Sequence, residues 1–117
     1  MKKIIYIITI LLLIGNSAIA QKKSKVKTSE FKVLGLCKMC KERIEEAALI
    51  KGVKFAEWNK KTDTLKVVFK PSKTNLKTIH KSIADAGHDT DMLKGDDEAY
   101  KNLPACCKYR DKSKSKH

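Results

Sequence analysis

The chain is 117 residues long, with 26 basic against 13 acidic side chains and a formal charge of +13, a balance that on its face suits a nucleic-acid binder. The charge sits in the ends: four positive charges lie between Lys22 and Lys27 and a net +4 between Lys108 and His117, while Thr28 to Cys107 carries only +3. With no aromatic-interleaved basic patch between those ends, nucleic acid is excluded as the expected partner, and a stretch of about 80 residues allows one small domain.

The first twenty residues read "MKKIIYIITILLLIGNSAIA": two lysines, an apolar run from Ile4 to Ile14, then small residues ending Ala18-Ile19-Ala20. This is the three-part pattern of a secretory signal peptide, with cleavage expected near Ala20. The alternative, an uncleaved anchor, is disfavoured because the apolar run is shorter than the roughly 20 residues a span needs. No cysteine lies near the cleavage site, so no lipid anchor is expected. Residues 1–20 are thus read as a signal peptide and 21–28 as a basic linker, giving a mature protein in the periplasm or secreted.

In "EFKVLG", Phe31 and Val33 fall on one face at period two, a short strand closed by Gly35. "CKERIEEAALIKG" places Cys40, Ile44, Ala47 and Ala48 on one helical stripe with Glu42, Glu45 and Glu46 outside, and Gly52 is its stop signal. Cys37 therefore lies in a loop and Cys40 in a first helical turn. "VKFAEWN" and "TLKVVFKP" flank the polar break "KKTD" and predict a hairpin, in which Trp58 covers the sheet and Asn59 starts the turn. Leu76, Ile79, Ile83 and Ala86 predict a second helix, capped by Thr74 and stopped at Gly87, with His80 on a solvated flank. "HDTDML" has the length of a final strand. The order, strand, helix, strand, strand, helix, strand, is α+β: a ferredoxin-like βαββαβ sandwich over residues 29–93. A short C-terminal extension, 94–107, adds a turn of helix from Asp96 to Asn102, Pro104 and the adjacent pair Cys106-Cys107. The basic tail, 108–117, is expected to be solvated and disordered, with weak attraction to anionic surfaces as its functional counterpart.

Four cysteines in an exported chain admit two disulfides in three pairings. A C-x-x-C at a helix start also admits a redox dithiol, half of a zinc site, or a two-thiolate clamp for a soft ion. Redox work of this kind uses a thioredoxin-like sheet, for which the core is too short and wrongly ordered, and a zinc ribbon needs a second spaced pair, whereas Cys106-Cys107 has no spacer. Thiolates prefer Cu(I), Hg(II), Ag(I) or Zn(II) to hard cations. A helix N-terminus favours the ionised thiol, with Lys38, Lys41 and Arg43 adding positive charge nearby.

These residues, Val33-x-Gly35, Cys37-x-x-Cys40, Gly52-Val53, Trp58-Asn59, the hairpin to Phe69, Ile79, Ile83 and Ala86-Gly87, together resemble the heavy-metal-associated domain family over about residues 29 to 93. Copper chaperones, the metal-binding domains of copper-exporting ATPases and a periplasmic mercury-binding protein belong to it. The resemblance implies Cys37 and Cys40 as ligands of one soft ion at an exposed loop, passed on by ligand exchange. The family's usual Gly-Met-x-Cys is here one residue shorter, Gly35-Leu36-Cys37, with Leu36 in the methionine's packing role. Where many members carry an aromatic residue or lysine near the metal, this chain has His88, read either as an exposed loop histidine or as a third ligand. Met39 is either a thioether donor or a plain apolar residue.

Cys106 and Cys107 have three readings: extra metal ligands, disulfide partners of the first pair, or a separate structural role. About twelve residues of returning chain suffice to bring them to the first pair, with Tyr100 and Leu103 as apolar handles. The expectation is an exported, non-enzymatic soft-metal protein, a Cu(I) scavenger or chaperone feeding a membrane efflux system. Its alternatives are a mercury-binding periplasmic protein, a secreted thiol-disulfide protein, and a disulfide-stapled module whose basic tails bind a polyanion.

Overall fold

The computed structural model describes residues 25–116. The expected signal peptide and half of the basic linker, residues 21–24, lie outside the described residues, as does His117. Three strands form one antiparallel sheet: β1 (Lys27–Lys32), β2 (Val53–Asn59) and β3 (Thr64–Phe69), in the order β1-β3-β2. Two helices, α1 (Lys38–Ala48) and α2 (Leu76–Asp85), pack on it, and a short α3 (Asp97–Lys101) and a 3₁₀ turn (Ala105–Cys107) follow. The arrangement is the α+β, ferredoxin-like one.

Alternation decides which faces are buried. Phe31 lies opposite Leu65 and Trp58 opposite Leu65 on its other side, and these join Val33, Val67 and Phe69 on the inner face. Cys40, Ile44 and Ala48 of α1 and Ile79 and Ile83 of α2 close over them. A register shift between Val53 and Phe55 keeps Trp58 inward and turns Phe55 to solvent, 44% exposed. The hairpin forms as expected: Asn59 Oδ1 accepts from the Lys61 and Thr62 amides, and Asp63 takes the left-handed conformation at φ 59°.

Four expectations are corrected. The final strand shrinks to one bridge, Val33 to Thr90, flanked by Leu34 N–H to Asp89 O and Asp91 N–H to Lys32 O. The cause is Thr90: its hydroxyl accepts from the Met92 and Leu93 amides and its own amide donates to Leu93 O, so a local turn competes with the ladder. The α2 cap is Asn75, which accepts from the Thr78 amide, and Thr74 is buried beside it. His80 is buried rather than solvated, stacked on Phe31 at 3.8 Å with Nδ1 2.8 Å from the Thr90 hydroxyl. The basic tail is half-buried from Lys108 to Arg110 and returns to the protein through the Lys114 and Lys116 side chains, while Asp111 to Ser113 are exposed as expected.

That packing depends on two glycines. Gly87 ends α2 at φ +99°, and a side chain there would meet the backbone of Ala99 and Tyr100 under 3.0 Å away, while one at Gly95 would meet Gly87 itself. The extension therefore lies directly on the end of α2. Asp96 caps α3 through the Ala99 amide, and its own amide donates to Ala84 O. Leu103 is buried in the core, Tyr100 packs against it, and the 3₁₀ turn touches α1. Tyr109 donates to Gly87 O and accepts from the Asp89 amide. Arg110 joins Asp89, Asp97 and the Gly95 carbonyl at 2.8–2.9 Å and stacks over Tyr100. Lys116 reaches Gly35 O and Asp63.

Candidate metal centre

The loop from Val33 to Cys37 is set by what lies beneath it. Trp58 is buried and donates its indole N–H to Val33 O at 2.9 Å. A side chain at Gly35 would lie 3.0 Å from both the Trp58 ring and Cys40 Cβ, so glycine lets the loop pass directly over them. Leu36 is buried under the loop, and Cys37 becomes the N-cap of α1 in extended backbone. Cys40 then falls in the first turn, on the same inward stripe as Ile44 and Ala48.

The 3₁₀ turn brings the second cysteine pair to the first. Cys37 Sγ lies 3.5 Å from Cys40 Sγ, 3.2 Å from Cys107 Sγ and 2.7 Å from Cys106 Sγ, and Cys106 and Cys107 are 3.9 Å apart. All four thiols are free. The donor atoms of Cys37, Cys40 and Cys107 all fall within 4.8 Å of one another, and these three residues are buried. The site expected at an exposed loop is therefore enclosed, because the extension covers it. Two thiolates held tetrahedrally at about 2.3 Å from one ion stand about 3.8 Å apart, so separations of 3.2–3.9 Å need only small adjustment to share a soft cation.

Burial is the first influence on these thiols, and at Cys40 and Cys107 it wins, holding both groups protonated. At Cys37 the same push is outweighed by hydrogen bonds from Cys106, from the backbone at Cys40 and from Cys107, which bring it down to about 7. Cys106 is raised, chiefly because it is hydrogen-bonded to Cys37. The centre is thus one thiol that ionises around neutral pH among three that ionise less readily, at the positive end of α1. Lys41 does not add to it in the expected way: its ammonium is directed to Glu45 and to Trp58 O.

His88 is fully buried rather than exposed, with burial lowering its basicity, and its Nδ1 lies 2.9 Å from Leu34 O. Since a carbonyl only accepts, Nδ1 carries the proton, leaving Nε2 with a free lone pair and no partner among the described residues. His88 does not join the close group of sulfur donors; it supports the loop through Leu34 and stacks against Tyr109. Met39 is 48% exposed on the outside of the turn. Sequence reasoning missed Tyr109, Arg110, Asp89 and Gly95, the residues that hold the extension down. The aromatic pair Tyr100 and Tyr109 beside Gly87 and Gly95 was the available signal.

No curated protein matches the chain. Among solved structures it is similar to a CopZ metallochaperone, 29% identical over 55% of this chain and 98% of that one, with a TM-score of 0.53. It is also similar to oxidized MerP from Ralstonia metallidurans CH34, 26% identical over 57% and 96%, TM-score 0.54. The water-soluble region of the P-type ATPase CopA from Bacillus subtilis is 30% identical over 59% and 47%, TM-score 0.55. The Heavy-metal-associated domain matches residues 30–89, from the middle of β1 through Cys37, Cys40 and His88, and with the thiol pair at the start of α1 and the sheet beneath it, the chain belongs to that family of heavy-metal binders.

Proposed function

We propose that this protein is an exported Cu(I)-binding protein, a scavenger or chaperone that holds the ion for a membrane efflux system and carries out no chemical reaction on it. The observation that carries this reading is the convergence of Cys106 and Cys107 on Cys37, within 2.7 and 3.2 Å. A third sulfur raises the coordination number of an otherwise two-thiolate site and slows release, which favours holding over rapid delivery. Soft thiolates select Cu(I), with Ag(I), Hg(II) and Zn(II) as competitors. Likeness to a CopZ metallochaperone and to the soluble region of the ATPase CopA supports copper and a transporter as partner. Hg(II), another soft ion that thiolates prefer, is the second reading. The expected signal peptide places the mature protein in the periplasm or outside the cell, where its lysines give weak contact with anionic surfaces.

Chelator competition on reduced, anaerobically purified protein tests the reading. One Cu(I) should bind tightly to the wild type and be lost from Cys37→Ser and Cys40→Ser. The double variant Cys106→Ser, Cys107→Ser should bind more weakly. Wild-type affinity in Cys37→Ser, or a dithiol that cycles electrons and ignores Cu(I), would overturn it. Preference for Hg(II) in direct competition would move the assignment to the second reading.

A further inference from the structure

We infer that the four cysteines divide their work: Cys37, Cys40 and Cys107 hold the ion, and Cys106 is the exchange ligand through which it arrives and departs as an anionic thiolate complex. This rests on the soft-metal reading above. Two observations separate Cys106 from the rest. It is partly exposed while the other three are buried, and it lines a surface depression of about 430 Å³ with Ala105, Ser113, Lys114 and Ser115. None of the other three cysteines lines that depression.

The 2.7 Å between Cys106 and Cys37 adds a mechanical argument. Two sulfurs bound to one ion stand about 3.8 Å apart, so the pair must open by about 1 Å when an ion binds. Cys37 is fixed as the cap of α1 and is buried; Cys106 borders the depression and has room to swing outward. Cys107 cannot take that part, because its sulfur is enclosed next to Cys37 and its amide is tied to Pro104 O.

The depression also suits one form of cargo. Lys114 lies on its rim with Nζ on Ala105 O, so the approach is positive. A soft ion outside a protein travels bound to small thiols, and a two-thiolate complex of Cu(I) is an anion, which a cationic rim attracts. Transfer then proceeds by exchange with the oxidation state of the metal unchanged. Cys106 loses its proton to the leaving donor thiolate as its sulfur–metal bond forms and one donor–metal bond breaks. Cys37 forms the next bond as a thiolate while the second donor thiolate leaves. Cys40 and Cys107 complete the set, one passing its proton to the second departing donor thiolate and the other to Cys106 as Cys106 is released. Removal runs the same steps backwards, with an outside thiol first engaging the ion at Cys106.

The test is stopped-flow loading of the full mature chain from Cu(I) held by glutathione, with unloading to the chelator bicinchoninate and equilibrium affinity measured on the same samples. Cys106→Ser should slow loading and unloading by roughly tenfold while weakening affinity by less. Cys107→Ser should show the reverse balance, affinity falling by roughly tenfold and loading by less. Added salt should slow loading of the wild type, and Lys114→Gln should reduce that sensitivity. Circular dichroism of each apoprotein checks the fold, and Cys107→Ala serves if the serine disturbs the buried position. Equal loading rates in Cys106→Ser and wild type, or identical rate and affinity losses in the two serine variants, overturn the division of labour while leaving Cu(I) binding in place. A wild type that takes up no Cu(I) overturns this inference together with the function it rests on.

Discussion

The family unit and the extension are held to each other and to themselves by different physics. From β1 through α2 the core is continuous apolar packing of Val33, Ile44, Trp58, Leu65, Val67, Ile79 and Ile83, with almost no solvent exposure. From Lys94 to Lys116 only Leu103 and Cys107 are buried hydrophobics, with Tyr100, Cys106 and Tyr109 half-buried against the core; much of the remaining hold is Tyr109, Arg110 and Lys108 on carboxylates and backbone carbonyls. Burial of that kind acts cooperatively over a whole domain, whereas hydrogen bonds and half-buried ion pairs add smaller, local terms that solvent can replace. The difference teaches that damage to the cover over the cysteine cluster should loosen it while the floor stays folded.

The comparison breaks if damage to the floor and damage to the cover look alike. Trp58→Ala removes the largest buried side chain and its bond to Val33 O, and should cost about 3–5 kcal/mol, read as a lower denaturation midpoint for the whole protein. Arg110→Ala removes three bonds from a side chain 24% exposed, and should cost about 2 kcal/mol of docking. Its signature is faster proteolysis after Lys94 with the domain's midpoint little changed; equal loss of both would show that the two regions fold as one unit.

The titration of Cys37 sharpens the same contrast, because two of its three sulfur neighbours belong to the cover. Thiolate absorbance should rise with a midpoint at about 7, the group being ionised above that pH and protonated below it. In the double variant Cys106→Ser, Cys107→Ser the midpoint should move up toward the ordinary thiol value. A midpoint unchanged by the substitutions would assign the depression to the α1 terminus alone.

Acid gives a gentler release. Burial opposes ionisation of Asp89, but the hydrogen bond from Arg110 prevails and holds its carboxyl below the ordinary 3.8. A lowered carboxyl adds stability that is present above its unfolded value and lost as pH falls through the folded one. The cover should therefore stay docked at pH 5 and free itself only below about pH 4, as followed by protease sensitivity; Asp89→Asn should be loose at every pH. Smallest of all, Lys116→Gln removes the contacts to Asp63 and Gly35 O and should change stability by under about 1 kcal/mol.

Periodicity made the sheet, both long helices and the C-x-x-C position legible, because burial follows the period of Phe31, Val33, Leu65, Val67, Phe69 and of Ile79 and Ile83. The apolar handles Tyr100 and Leu103 likewise pointed to a returning extension. What stayed hidden depends on contacts between distant positions. His80 reads as a flank residue until Phe31 is seen stacked against it, and His88 reads as exposed until Tyr109 covers it. Charge density made residues 108–116 look solvated, yet Arg110 finds Asp89 21 positions away, a pairing no local pattern announces. The missing strand is a side-chain effect, since one threonine hydroxyl outcompetes the ladder.

The loop's passage over Trp58 has an optical consequence. This is the chain's single tryptophan, shielded from water and in line with Cys40 beneath Gly35. Its emission should be blue-shifted in the empty protein and should dim when a heavy atom settles among the sulfurs, since electron-rich ions promote intersystem crossing in a neighbouring indole. Loading can then be watched in the unlabelled protein as a fall in emission averaged over the sample, with the fold itself serving as the dye.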